Sequence, residues 1–206
     1  MLSDTEFIFG FAYNNRKERF DLKIWKLGID TGKRDDSQQY QLVNRDKMFL
    51  SDFEKKINMA EKQNGMLDDL QVHVIQGRKE SDITYLWNGS GLYIVNERAK
   101  NSLESMLAES VEFIPVKNEK KLYLLNILCV ADALDLNNII ATYNGGAITY
   151  IRKFSLIKEK IPKAPIFKVI CEGSIYTDAA FVTEAFKENV DGNGLMGFRF
   201  EEVGDF

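Results

Sequence analysis

Asp132 and Asp135 flank Leu134 just after the most apolar run of the chain, and two carboxylates so placed could share acid and base work. That chemistry needs a raised pKa or a basic partner. Neither is legible in the surrounding residues, and acids beside Asn137 suit the capping of a turn. Asn189, Asp191, Asn193 and Gly194 match the first half of a calcium loop, which needs oxygen ligands at alternate positions and a glycine at the sixth. Its eighth position is Met196 and its twelfth is Phe200, where a bidentate glutamate belongs. A helix-to-strand turn is therefore expected there. Asn88 to Gly91 contains a Gly-Ser-Gly series, but it leads into a strand pattern and lacks the helix dipole that phosphate loops use, so it reads as a hairpin turn. His73 alternates with Val72 and Val74 on the solvent side of a strand pattern, with no second histidine in the chain to join it. Cys129 and Cys171 lie in apolar runs without metal-ligand spacing and are expected as reduced, packed thiols. No cofactor or metal is implied.

The elements that must hold these residues follow from patterning. Phe7 to Tyr13 is an aromatic strand candidate, and from Phe20 to Leu27 apolar Phe20, Leu22 and Ile24 alternate with Asp21, Lys23 and Trp25. Tyr40 to Val43 adds a short strand. Ser51 and Glu54 form a capping box for a helix from about Asp52 to Asn64, closed by Gly65. Strand patterns recur at Leu70 to Ile75, Ile83 to Trp87, Val111 to Val116, Ala147 to Ile151 and Ile166 to Cys171. Leu122 to Ala131 has no solvent-facing alternation and is expected to be one central strand covered on both faces.

One phrase occurs twice. Tyr93 to Arg98 leads through an amphipathic stretch to Val111, and Ala180 to Glu184 leads through a shorter one to Gly197 and Val203. Each copy reads as strand, polar cap (Asn96 or Thr183), acid, helix and strand. The expected fold class is α+β: a mixed or mainly antiparallel sheet with a few helices, containing two copies of a strand-helix-strand unit. Residues 1–69 read as a strand-rich segment with one helix and 70–206 as the α+β region, together one compact globule.

The chain has 206 residues, 45% of them hydrophobic, which is enough for a sizeable core. Its net charge of -4 provides no global positive field for phosphate backbones, so nucleic acid is not an expected ligand. Met1 to Glu6 lack a basic, then apolar, export pattern, and no window approaches the roughly 18 apolar residues of a membrane span. The expectation is a cytoplasmic protein without a membrane partner.

The order of these motifs resembles a known family. Asp82, Ile83 and Tyr85, then Tyr93 to Glu97, Val111 to Val116, Tyr123 to Leu128, Asp132 to Asp135, and finally Gly197 to Phe200 with Val203 resemble the eleventh-numbered immunity family of polymorphic toxin systems, first catalogued as a domain of unknown function. Asn96 stands where the family pattern commonly has serine, a change that keeps the cap. The resemblance covers about residues 70–206. It implies an immunity protein that neutralises a cognate toxin domain, encoded nearby, by stoichiometric binding and without catalysis. The competing reading is an enzyme or small-ligand binder with a pocket around Asp132 and Asp135. For toxin contact the nominated residues are Trp25 and Trp87, as aromatic anchors, and Glu201 and Glu202, as part of an acidic C-terminal face suited to a basic partner; a buried core position is the competing fate of each tryptophan.

Overall fold

The computed structural model describes residues 22–32, 36–43, 57, 59–64, 70–87 and 91–205. The aromatic strand at Phe7 to Tyr13, the Ser51 capping box, Gly65 and the turn residues Asn88 to Ser90 lie outside them, as does most of the helix expected from Asp52. In chain order the elements begin with β1 (Lys23–Ile29), β2 (Gln39–Leu42), β3 (Val72–Gln76), β4 (Ile83–Tyr85) and β5 (Tyr93–Asn96). The helix α1 (Glu97–Leu107) leads to β6 (Val111–Val116), β7 (Leu122–Ile127), β8 (Val130–Ala131), β9 (Ile140–Asn144) and β10 (Ala147–Lys153). The chain closes with β11 (Ile166–Cys171), β12 (Ser174–Thr183), α2 (Glu184–Gly192) and β13 (Phe198–Asp205). This is an α+β fold with mostly antiparallel pairing.

Among the described residues the strands form a five-stranded sheet, β13-β1-β12-β11-β8, a four-stranded sheet, β4-β5-β7-β6, and the two-stranded ribbons β2-β3 and β9-β10. Within the four-stranded sheet β7 is antiparallel to both β5 and β6. Within the five-stranded sheet β1 is antiparallel to both β12 and β13. The two strands that flank each helix are therefore parallel to each other with one strand between them. Each helix starts at a side-chain cap, since Asn96 accepts from the Ala99 amide at 2.9 Å and Thr183 from the Phe186 amide at 3.4 Å.

Alternation along the strands sends side chains into three cores. Ala99, Leu103 and Leu107 of α1 and Phe186 and Val190 of α2 meet one face of each large sheet, through Leu27, Val95, Leu125, Ile127, Ala180 and Val182. The other face of the four-stranded sheet, including Leu122 and Leu124, packs on Tyr40 and Leu42 of β2 and Val72 of β3. The far face of the five-stranded sheet packs Phe167, Val169 and Phe181 against Ile151 of β10, Phe154 and Leu156. The ribbons thus cover apolar faces that would otherwise meet water.

The apolar run after Lys121 needs a correction. It is not one strand to Ala131. β7 ends at Ile127, where the Leu128 amide donates to the Ser110 carbonyl at 2.9 Å, and β8 then joins the other sheet beside β11. Burial on both faces is satisfied by two sheets in succession, and a run without polar alternation carries no mark of the exchange. The expected central position holds for β7, which lies between β5 and β6. Pro115 sits in the edge strand β6, where its missing N–H costs no ladder bond.

Candidate functional site

The scaffold is tied together at Asp82, which is only 3% exposed. Its carboxylate accepts from Asn96 Nδ2 at 2.9 Å, from Arg98 Nη1 at 3.0 Å and from the Met196 amide at 2.6 Å. Arg98 also donates to the Asn193 and Gly194 carbonyls, so the start of α1 is bound to the turn after α2. The series from Asn189 to Gly194 is this turn, not a calcium loop: Asn193 caps α2, and its side chain donates to Asn189 O at 2.8 Å. Gly91, at φ +62°, makes a second tie, because a Cβ there would collide with the Thr177 carbonyl of β12.

On the far side of β1 from the helices, a cleft of about 220 Å³ opens between the five-stranded sheet, the end of β4 and the β9-β10 hairpin. Its floor follows from alternation in β13. Phe198 and Phe200 enter the helix-side core, so Arg199 and Glu201 face the cleft. Glu201 accepts from Lys26 Nζ at 3.2 Å, and that ammonium lies 5.5 Å from the Phe154 ring centroid. Gly28 is the cross-strand partner of Arg199, whose Nε would be 3.2 Å from any Cβ at Gly28, so the guanidinium rests along bare backbone. Arg199 has no ion-pair partner among the described residues.

Three tyrosines complete the cleft. Tyr176 accepts from the Ile151 amide at 3.2 Å and packs edge-on to Phe154, fixing the hairpin to the sheet; burial pushes its phenol up. Tyr85 and Tyr150 keep 37% and 52% of their surface exposed, so both rings remain available to a binding partner. Asp178 also lines the cleft, and its charge favours the protonated form of Lys168, a lysine within the sheet whose pKa burial nonetheless pushes down to about 8. A larger cavity of about 450 Å³ lies between the end of α1 and Pro165. Its titratable residues are Glu109, Lys163 and Cys129, and burial raises the pKa of that thiol, which argues against a reactive centre there.

Residues 23–205 match the model of the Immunity protein family (Imm11). The chain belongs to that family. No curated protein matches it. The match begins well before residue 70, so β1 and the β2-β3 ribbon fall inside the region this immunity family shares.

The residues nominated from sequence do not form one patch in this family member. Trp25 is half-buried against the helix-side core; its Nε1 donates to Glu184 at 2.6 Å, and Lys187 Nζ lies 5.4 Å from a Trp25 ring centroid. Glu202 is its cross-strand partner, whereas Glu201 belongs to the cleft on the opposite face. Trp87 is in none of the three cores: it is 47% exposed just beyond β4, because the strand ends at Tyr85 and Trp87 enters the turn. Asp132 is exposed and Asp135 half-buried, and they are apart in role. Asp132 accepts from Lys160 at 2.7 Å, and Asp135 caps its turn by accepting from Asn138 Nδ2 at 2.7 Å and the Asn137 amide at 3.2 Å. His73 is exposed on β3, paired in register with Gln41. Cys129 and Cys171 are free thiols. Sequence reasoning missed Arg199, Tyr85 and Tyr150. The alternation of Arg199 and Glu201 with two phenylalanines was the available signal for the floor; nothing local announces that the hairpin folds over it.

Proposed function

We propose that this chain is an immunity protein that neutralises a cognate bacterial toxin domain, encoded beside it, by direct one-to-one binding. Membership of the immunity family over residues 23–205 is the observation that carries this reading. Binding requires a shaped surface with aromatic anchors and charged groups, and the cleft bordered by Tyr85, Tyr150 and Arg199 supplies such chemistry. No reaction need be performed, and Asp132 and Asp135 already serve an ion pair and a turn. We place the action in the cytoplasm; among the described residues no helix is long and apolar enough to cross a membrane.

The test is co-expression with the toxin domain from the adjoining reading frame in a sensitive cell, with a titration of the purified pair. Protection together with saturation at one immunity protein per toxin is expected. Protection at a ratio far below one to one would establish turnover and overturn the reading. We also read the segments 93–116 and 180–203 as copies of one unit, each a helix joining parallel strands that lie one strand apart. Failure of their Cα atoms to superpose would show the likeness to be one of order alone.

A further inference from the structure

We propose that the cleft between the β9-β10 hairpin and strands β1 and β13 receives an acidic side chain of the toxin, with Arg199 as its counter-ion and Tyr85 and Tyr150 as its walls. The inference rests on the binding role proposed above and adds the chemistry of the contact. Its basis is the charge account of the cleft. Lys26 and Glu201 neutralise each other at 3.2 Å. Asp178 lines the cleft too, yet no ion pair joins it to Arg199. That leaves Arg199, which lies along the bare backbone of Gly28 and has no ion-pair partner among the described residues.

A guanidinium without an ion-pair partner suits a carboxylate, because its planar fork can donate two parallel hydrogen bonds. The tyrosine walls exclude water from such a pair while offering hydroxyls at its edge, the mixed character of interface hot spots. Exposed Arg152 and Lys153 follow the lining residue Ile151 along β10 and add positive charge beside it, where an acidic group on the partner would be favoured. The acidic residues nominated from sequence, Glu201 and Glu202, lie on opposite faces of β13 and form no continuous acidic patch.

The experiment is calorimetric titration of the full chain with the purified cognate toxin domain at low and at physiological salt. Arg199→Glu is expected to weaken binding about 30-fold or more, and Tyr150→Ala about 10-fold. Arg78→Glu, the same charge change at an exposed position outside the cleft, should leave affinity within about 2-fold. Thermal melting of each variant checks that the fold is retained. Should Arg199→Glu prove unfolded, Arg199→Gln and Tyr150→Ala carry the test. Recovery of binding when a toxin glutamate or aspartate is changed to lysine against Arg199→Glu would identify the partner side chain. If the wild type binds and the cleft variants bind equally well, the acidic-contact inference falls while the immunity role stands. Tighter binding by Arg199→Glu would mean a basic partner, and cleft-dependent self-association would mean a second copy of this chain; either overturns it. If the wild-type chain does not bind the toxin at all, the immunity role falls and the inference with it.

Discussion

Lys168 carries its ammonium at 1% exposure within β11, and burial pushes its pKa from 10.5 down to about 8, with Asp178 opposing the shift. Because the folded value lies below the unfolded one, the unfolded chain holds more protons between those two limits. The lysine's contribution to the free energy of unfolding is therefore constant below about pH 8 and rises with pH above it, by at most about 1.4 kcal/mol per pH unit. Tyr93, whose phenol is held well above 10.0 by burial, acts in the other direction at higher pH, so the window to examine ends at about pH 9.5. Urea denaturation from pH 7.5 to 9.5 should show the rising component in the wild type and its loss in Lys168→Met. Asp82 gives a second prediction at this scale. Asp82→Ala leaves the Met196 amide and Arg98 without their acceptor, and a loss of about 3 kcal/mol or more is expected in the same assay. Asp82→Asn keeps the shape and should cost less, since Arg98 is half exposed and its ion pair is screened.

The two helix starts look alike and should not respond alike. Thr183 caps α2 through one long hydrogen bond, so Thr183→Ala should cost about 1 kcal/mol or less. Asn96 caps α1 through a shorter bond and also donates to Asp82, so Asn96→Ala should cost about 2 kcal/mol or more. Equal losses in denaturant titrations would contradict the link to Asp82. Gly91 is an element-scale constraint of another kind: Gly91→Ala meets both a positive φ and the Thr177 carbonyl, and a drop of several kcal/mol, or failure to fold, is expected. The caps were legible because their partners lie three residues along the chain. The Gly91 contact was not, because Thr177 is brought to it only when the two large sheets meet.

At the scale of the whole molecule, β1 is the strand that joins early and late parts of the described chain. It lies between β12 and β13, although it precedes them by some 150 residues, as Ile24 pairs with Thr183. Amide exchange in β1 is accordingly expected to be as slow as in β7, the central strand of the other sheet; fast exchange in β1 alone would show it to be a separable N-terminal addition. The amino-acid sequence by itself determined the local facts: period-2 runs for strands, two capped amphipathic helices, the turn after α2, the exposed position of His73, and an order of motifs that resembles the immunity family. These depend on residues a few positions apart and on the alternation of side chains. Tertiary structure alone decided the rest. It broke the run from Leu122 to Ala131 between two sheets, put Trp25 and Glu201 on opposite faces of one sheet, and left Trp87 exposed. It also assembled the cleft from Lys26, Tyr85, Tyr150, Tyr176 and Arg199, whose meeting depends on strand order and on a hairpin folding back over a sheet. Pairing between distant strands is selected by burial of their combined apolar faces, a property of the assembled chain that no single segment carries.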